Sequence, residues 1–481
     1  MSREKRKVSS MEEVKPIMTE ETEKIRGNFQ NFGAATLIYA LIYAFCMYKN
    51  DAGITYLFFV VAGIFYVKYC MEHLGFSLKK GSLFYMISMA LLGISTFCTD
   101  DSRIIFFNKT GVFLLMITLV LFNVYETKKW GFVKYVAAML QTVFMALTEL
   151  WTPFSDAVDF CKNKLGKKSK AVLSAVLGVV LALPVVAVVL SLLMSADAVF
   201  GNLAGNILED ISFLTVLGFL VKGAILFFFA YGVLVYLSKR EIKEENIETK
   251  KGEPMLAVPL VGILTALYLI FSVVQILGLF LGKMELPDGY TYARYAREGF
   301  FQLLAVSIFN FLLVLAGLSF FRKSNVLKTL LTIMSGCTFI MIASSAMRMI
   351  LYIRYYHLTF LRILVLWGLV TLTILFVGVI LWMYRKNFSL FRYSVVAVTI
   401  CYLVLSFSHP DYLTATYNLA KLEKVTEREH SYYSSLCADA ATVLAPYMEQ
   451  EEAERLWYEE DAGSIRKFNV SRYAAKRILE R

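Results

Sequence analysis

Long apolar runs separated by short polar segments fill most of this 481-residue chain. A bilayer core about 30 Å thick requires about 20 apolar helical residues to cross it. Eleven of the runs reach or approach that length. Their continuous apolarity indicates helices, because a lipid-facing β-strand would alternate between apolar and polar residues over about ten positions. The predicted spans are Phe32–Tyr48, Gly53–Met71, Ser82–Cys98, Ile104–Tyr125, Ala171–Met194, Phe213–Leu237, Leu256–Leu281, Phe300–Phe321, Thr329–Ala346, Ile363–Tyr384 and Ser389–Ser408.

The pattern predicts an all-α fold, a polytopic transmembrane helical bundle of about 11 spans. The predicted number ranges from ten to twelve spans, because Phe32–Tyr48 and Ser82–Cys98 are short. Val136–Thr148 is also too short to cross a bilayer and has lysines on both sides. We expect it to form a helix in the cytoplasmic interface, with a half-inserted hairpin as the alternative.

The polar segments divide the chain into five predicted parts. These are a flexible cytoplasmic N-terminus (1–31), a four-span part (32–125), a cytoplasmic interfacial segment (126–170), a seven-span core (171–408) and an extracytoplasmic tail (409–481). In the tail, apolar residues recur at helical spacing, which predicts two or three short amphipathic helices. The residues with this spacing are Tyr433, Leu436, Ala440, Leu444 and Met448.

The distribution of basic residues predicts the orientation of the chain. Of 49 lysines and arginines, 28 fall in segments that are cytoplasmic if the N-terminus is inside, and 9 fall in the opposite loops. Because lysine and arginine near span ends stay on the cytoplasmic side, we expect the N-terminus inside and the tail outside. The first apolar run follows a polar leader and lacks a cleavage site, so it is interpreted as an uncleaved signal-anchor.

Composition supports a membrane protein and excludes several other classes. The chain is 58% hydrophobic and 18% charged, whereas a soluble globular chain is about 45–50% apolar and about 25% charged. The net charge of +11 is concentrated in the predicted cytoplasmic segments, beside anionic headgroups, so we expect no nucleic-acid partner. The 7 cysteines are scattered and form no CxxC pair, which predicts neither a disulfide framework nor a zinc site.

The sequence lacks the short motifs that mark common enzymes. It contains no P-loop, Rossmann glycine pattern, GxSxG or HExxH, and no paired carboxylates within the spans. We therefore assign no catalytic residue, metal or cofactor and consider an enzyme the less favoured class.

Four stretches carry a resemblance to a known family. They are Ser195-Ala-Asp-Ala-Val-Phe200, Tyr292-Ala-Arg-Tyr-Ala-Arg-Glu-Gly-Phe-Phe-Gln-Leu303, Arg348-Met-Ile-Leu-Tyr-Ile-Arg354 with its continuation to Arg362, and His409-Pro-Asp-Tyr-Leu-Thr-Ala-Thr-Tyr-Asn418. Over residues 170–440 the chain resembles a bacterial family of uncharacterised polytopic membrane proteins, domain of unknown function 4173. The resemblance implies a bacterial membrane protein and no particular activity, and the family favours glycine at the position of His357. All four stretches fall on the predicted outer side.

Arg294 and Arg297, with Tyr295 between them, form the first candidate site. We expect a helix to begin near Thr291, which would place both arginines in its first turns, where the helix dipole disfavours cations. Either neighbouring acids pair with the arginines, or an anionic ligand such as a lipid phosphate or cell-wall polymer binds there bidentately. The neighbouring acids are Glu285, Asp288 and Glu298.

A second group of candidates lies at the next outer connection. Arg348 and Arg354 end a helix, where cations are favoured, whereas Arg362 precedes the next span; His357 lies between them. The short turn Arg322–Lys328 makes the spans on either side antiparallel neighbours. We therefore predict that four arginines approach one another and bind an anionic headgroup or polymer. These are Arg294, Arg297, Arg348 and Arg354.

Lys222 is the one charge deep within a predicted span. An unpaired lysine near the bilayer centre costs about 2.5–3.5 kcal/mol, which makes it a candidate functional residue. Its potential partners are Gln275, Gln302 and Asn310 on neighbouring spans. A snorkelling lysine, satisfied by carbonyl groups and water, is the alternative.

These observations leave three functional hypotheses. The first is a non-enzymatic protein of the bacterial cytoplasmic membrane, a scaffold or signalling accessory, whose Arg/Tyr-rich outer loops and tail bind an envelope component. Beyond the bilayer, its partner would be an anionic lipid headgroup, an envelope polymer or a membrane protein. The second is a transporter or lipid-handling carrier with a polar cavity at Lys222. The third is an intramembrane transferase.

Overall fold

A computed structural model describes most of the chain. The described ranges are 19–127, 130–164, 213–242, 252–277, 292–385, 387–421 and 427–480, with isolated positions between 178 and 197. Eighteen α-helices lie in these ranges. In the membrane-like part they are α1 (Glu20–Gly27), α2 (Phe29–Met47), α3 (Thr55–Leu74), α4 (Ser82–Cys98), α5 (Ser102–Val124), α6 (Phe132–Thr148), α7 (Thr152–Lys164), α8 (Phe213–Ser238), α9 (Pro254–Gln275), α10 (Tyr292–Phe320), α11 (Asn325–Tyr356), α12 (Phe360–Tyr384) and α13 (Leu390–Ser406). In the tail they are α14 (Pro410–Leu419), α15 (Glu427–Tyr433), α16 (Ala441–Leu444), α17 (Gln450–Trp457) and α18 (Val470–Leu479).

The predicted polytopic helical fold is confirmed. Within the described residues, 8 helices are long and apolar enough to cross a membrane, and two bent helix pairs raise the number to 10 if each pair counts as one span. Helix α4 is apolar but shorter. The predicted span Ala171–Met194 lies outside the continuously described ranges. The eight long segments are Phe29–Met47, Thr55–Leu74, Ser102–Val124, Leu217–Ser238, Pro254–Gln275, Gly299–Phe320, Asn325–Tyr356 and Phe360–Tyr384.

Two helix boundaries bear on the candidate residues. Helix α10 begins at Tyr292, in agreement with the predicted start near Thr291. Helix α11 begins where the Ser324 hydroxyl accepts a hydrogen bond from the Leu327 N–H, and it continues to Tyr356. The predicted apolar span ends at Ala346, and the helix continues beyond it, with Arg354 in its last turn as predicted and Arg348 about two turns before its end.

The predicted interfacial helix begins at Phe132 rather than at Val136 and ends at Thr148, as predicted. Helix α7 follows after a short turn, and the two helices are bent by 56° relative to each other. This geometry fits a broken span or a re-entrant segment, so the alternative of a half-inserted hairpin stays open.

The chain forms two compact units, each built from non-consecutive segments. The first contains Met1–Leu41, Cys70–Phe76 and Thr142–Lys243. In it, the Tyr231 hydroxyl donates to a carboxylate oxygen of Asp156 at 2.9 Å, and the Thr22 and Ser238 hydroxyls lie 3.0 Å apart. Buried hydrogen bonds thus join helices α1, α7 and α8 of this unit.

The second unit contains Ile42–Tyr69, Ser77–Gln141 and Glu244–Arg481. One apolar core of this unit lies among helices α9 to α12, where Val314, Leu331, Phe376 and Val379 are fully buried. This packing fixes α10, α11 and α12 relative to one another, and these helices carry Gly299, Arg348 and Arg362, which are described below.

The tail folds around a small apolar core within the second unit. The predicted core residues Tyr433, Leu436, Ala440 and Leu444 are all buried there, and Met448 packs against them. The tail is helical as predicted, although it has more and shorter elements, including three 3-10 turns. Helix α14 turns by 52° from α13 and contributes Ala415 to this core. We therefore assign α14 to the tail and end the preceding span at Ser406.

Candidate functional site

Arg348 lies buried where helices α9, α10 and α11 meet, with 5% of its surface exposed. Its Nη2 is 3.4 Å from Oε1 of Gln275, and the same oxygen accepts a hydrogen bond from the Ser344 hydroxyl at 2.6 Å. On the α10 side, the guanidinium fills the space that a Cβ atom at Gly299 would occupy. Glycine at this position therefore makes room for a buried cation.

This contact joins two of the family-like stretches, because Gly299 belongs to the second and Arg348 begins the third. It also confirms that the spans on either side of the Arg322–Lys328 turn are neighbours at this end. The side chains of Arg294, Tyr295 and Arg297 lie outside the described residues. Their approach to Arg348 remains a prediction.

We expect Gly299→Ala to destabilise the protein by roughly 1–3 kcal/mol, because overpacking would push the Arg348 guanidinium away from Gln275. Gly336→Ala on α11 is the matched control, since nothing lies within 4 Å of its added methyl group. The control should be neutral or slightly stabilising because alanine is the better helix former. Thermal unfolding of detergent-purified variants measures both changes. Equal effects of the two substitutions would contradict the close contact between Gly299 and the Arg348 guanidinium.

A second junction joins the third and fourth family-like stretches. The Asn418 side chain accepts a hydrogen bond from the Leu358 N–H at 2.7 Å and donates one to the Leu358 carbonyl at 3.0 Å. His357, the residue before Leu358, ends α11 with φ +66° and ψ 176°, a backbone conformation that favours glycine. The tail therefore holds the turn between α11 and α12 in a strained conformation.

Arg362 points back to the C-terminus of α11. Its guanidinium donates to the carbonyls of Tyr356 and His357 and lies 4.3 Å from the ring centroid of Tyr352. Arg362 lies in the first turn of α12, as its place before the span predicted, and the carbonyls at the end of the preceding helix stabilise its charge there. Arg354, in contrast, is exposed.

A group of hydrogen-bonded polar residues joins the tail to the loop between α4 and α5. Asp439 is at its centre: it accepts hydrogen bonds from the Thr99 hydroxyl at 2.6 Å, from the Asp100 N–H at 2.7 Å and from the His409 Nδ1 at 2.9 Å. Burial raises the pKa of Asp439, but these donors outweigh it and hold the pKa below its ordinary value. The hydrogen bond to Asp439 raises the pKa of His409.

Arg103 connects three elements beside Asp439. Its Nη2 lies 2.7 Å from a carboxylate oxygen of Asp101 and 2.6 Å from one of Asp411, and both carboxylates are buried. The guanidinium carbon lies 3.8 Å from the ring centroid of Phe360, at the start of α12. One cation therefore bridges α5, α12 and α14.

The last tail helix extends the same arrangement. Arg472 pairs with Asp100 at 2.6 Å and with Glu459 at 2.9 Å. The Asn469 side chain donates to the carbonyl of Thr99 at 2.8 Å and to that of Ala52 at 3.0 Å. We call the joined residues the tail–loop cluster: Thr99, Asp100, Asp101, Arg103, His409, Asp411, Asp439, Asn469 and Arg472.

Three groups in this region have metal-ligating atoms. Oxygens of Asp101 and Asp411 and the sulfur of Cys437 all lie within 4.8 Å of one another. However, the Arg103 guanidinium already bridges the two carboxylates. Burial also raises the pKa of the Cys437 thiol, which disfavours the thiolate that binds metals. We therefore infer that the cation between the Asp101 and Asp411 carboxylates is the Arg103 guanidinium and not a metal ion.

The intramembrane candidates are divided between the two units. Lys222 is half-buried in α8 of the first unit, whereas Gln275, Gln302 and Asn310 belong to the second. Asn310 is buried and donates to the Thr338 hydroxyl at 3.0 Å, and Gln302 is exposed. The role of Lys222 remains a prediction.

The sequence prediction missed the tail–loop cluster, although two signals pointed to it. The run Thr99-Asp-Asp-Ser-Arg103 directly precedes a span, and the Asp101 carboxylate accepts the Arg103 N–H as a helix N-cap does. His409 and Asp411 stand in the fourth family-like stretch. Asp439 and Arg472 had no comparable signal, since their importance comes only from where the tail folds.

A family model described as Domain of unknown function (DUF4153) matches residues 86–447. The chain belongs to this family. The DUF4153 range includes Gly299, Arg348, Asn418 and Asp439, while Arg472 follows it. The more specific resemblance to domain of unknown function 4173 is not confirmed, and no curated protein or solved structure matches the chain.

Proposed function

We propose that this DUF4153 protein is a non-catalytic, envelope-associated membrane protein that holds its C-terminal tail as a binding platform. The tail–loop cluster supports this proposal, because its buried carboxylates are occupied in joining distant elements. Asp439 and Thr99 are 340 residues apart in the chain, and Asp411 and Arg103 are 308 apart. Buried ion pairs of this kind favour one fixed geometry more than they add stability.

The platform itself would be the exposed side of the tail. Ile465 is 90% exposed and Tyr447 is 60% exposed, while Tyr458 and Tyr473 of the same tail are 42% and 39% exposed. Isolated apolar residues on a surface are common, but aromatic residues are enriched where proteins bind partners. We propose a partner membrane protein or an envelope polymer on the outer side of a bacterial cytoplasmic membrane, with the anionic-headgroup site at Arg294 and Arg297 as a second contact.

In-cell photocrosslinking tests the platform. A photoreactive amino acid replaces Ile465 in the full-length chain, and the adducts are compared between the wild-type background and an Asp439→Ala background. We expect a discrete, reproducible adduct that disappears when the tail attachment is weakened. Glu451→Gln, an exposed charge change in the tail, is the control and should preserve the adduct. An adduct unaffected by Asp439→Ala, or adducts to bulk lipid alone, would overturn the proposal.

Orientation provides a separate prediction. If the basic segments are cytoplasmic, Ile465→Cys should react with a membrane-impermeant maleimide in intact cells, whereas Lys323→Cys should react only after the cells are opened. Both positions are exposed, so accessibility within the protein does not explain a difference. Labelling with the opposite pattern would reverse the proposed topology.

A further inference from the structure

An apolar groove of about 380 Å³ lies among helices α5, α6, α12 and α13 of the second unit. Its walls include Phe107, Leu114, Met139, Trp367, Val398 and Tyr402. Protein interiors are packed so closely that voids larger than a water molecule are few. A volume of this size falls within the range of ligand-binding pockets, which is about 300–1,000 Å³.

The wall chemistry disfavours water as the occupant. The hydroxyls of Thr110 and Thr118 donate to carbonyls of their own helix, and the Tyr402 hydroxyl is hydrogen-bonded to Asn108 outside the groove. The other two hydroxyls of the lining belong to Ser394 and Thr399, and Ser394 Oγ is buried without a hydrogen-bond partner. Two hydroxyls are at the lower limit of the two to four polar partners that an ordered water requires, whereas the rest of the wall is apolar.

The groove has the dimensions of a hydrocarbon chain. Its α5 wall runs from Phe107 to Thr118, which at 1.5 Å per helical residue is about 16 Å. This length is about half of the 30 Å hydrocarbon core of a bilayer. Helices α5 and α12 are both long and apolar enough to span a membrane, so the medium around this half-open groove is expected to be lipid.

We propose that the groove binds one acyl chain of a membrane phospholipid. The chain would lie along α5 and α13 with Trp367 and Tyr402 at one end, where the hydroxyl and indole groups are already hydrogen-bonded to the protein. Binding would therefore depend on apolar contact and shape rather than on the headgroup charge. This site is independent of the proposed platform on the tail.

Photolabelling of the full-length protein in phospholipid nanodiscs tests the proposal. The probe is a phosphatidylcholine with a mid-chain diazirine, and adducts are mapped by mass spectrometry. We expect adducts to be enriched about fivefold on Phe107–Thr118 and Val395–Val398 over comparably exposed apolar residues elsewhere, a ratio equal to about 1 kcal/mol of preference. Leu83 and Phe301, which are 64% and 54% exposed, serve as those references.

A substitution that fills the groove provides the second arm. Val398→Trp should reduce the groove adducts by about fivefold, a loss of about 1 kcal/mol. Val404→Trp, on the same helix but outside the groove lining, should leave them unchanged. If Val398→Trp fails to fold, the distribution of adducts on the wild-type protein still tests whether the groove binds an acyl chain. An even distribution of adducts, no effect of a folded Val398→Trp, or crosslinks showing a second copy of the chain in the groove would overturn the proposal.

Discussion

Replacing Arg103 by methionine is expected to weaken tail attachment by roughly 3 kcal/mol, because it leaves two buried carboxylates without their shared cation. The value is at the lower end for a broken buried pair, since the Arg103 side chain is itself partly exposed and water would reach the site. Limited proteolysis measures the effect: if cleavage requires the detached tail, a loss of 3 kcal/mol raises the cleavage rate about a hundredfold.

Lys109→Met on the same helix is the matched control. Lys109 pairs with Asp51 at 3.5 Å, but that carboxylate is exposed, so the change should cost less than about 1 kcal/mol. In addition, Arg103→Met combined with Asp411→Asn should recover part of the loss, because fewer buried charges then lack a partner. A proteolysis rate for Arg103→Met equal to that of the control would show that the bridge is not needed for attachment.

The second large effect is expected at Asp439. Asp439→Ala removes the acceptor of three hydrogen bonds and should cost roughly 2–4 kcal/mol, since Thr99, Asp100 and His409 lose a buried partner together. The variant should therefore show a large rise in tail proteolysis at neutral pH. Asp439→Asn keeps an acceptor oxygen and should lose less, which separates hydrogen bonding from charge.

The hydrogen-bonded pair of His409 and Asp439 predicts how the attachment of the tail depends on pH. Because the folded-state pKa of His409 is raised, its contribution is complete below the unfolded value of 6.5 and declines as the pH rises through the folded value. Because the pKa of Asp439 is lowered, its contribution is present above 3.8 and declines as the pH falls through the folded value. The difference in unfolding temperature between wild type and Asp439→Asn should thus be larger at pH 6 than at pH 9. If the difference in unfolding temperature were the same at both pH values, His409 and Asp439 would not act as an ionised pair.

The helices could be predicted from the sequence because a bilayer-length apolar run requires no knowledge of its neighbours. The starts of α5 and α10 lie within two residues of prediction, since a turn or capping residue marks each of them. The position of Arg354 in the last turn of α11 was also predicted, but the burial of Arg348 was not, because it depends on Gly299 and Gln275, which lie on two other helices.

The candidate site was harder to predict because it depends on pairs that are distant in the chain. Arg348 was selected for its charge, but the structure places it inside the bundle, where a glycine and an amide accommodate it. Asp439 stands in a polar segment like many other acids, and nothing nearby in sequence distinguishes it. Its role arises only when the tail meets a loop 340 residues earlier.

That separation has a consequence for how the chain is made. At about 5–20 residues per second, synthesis of the 340 residues between Thr99 and Asp439 takes roughly 20–70 s. During this interval α4 and α5 can be in place in the bilayer while Thr99, Asp100 and Arg103 still lack their tail partners. Attachment of the tail to the loop between α4 and α5 is therefore a late event in biogenesis. A chain whose synthesis stops shortly before residue 439 contains the described apolar helices but lacks Asp439 and Arg472, so Thr99 and Asp100 stay without these partners.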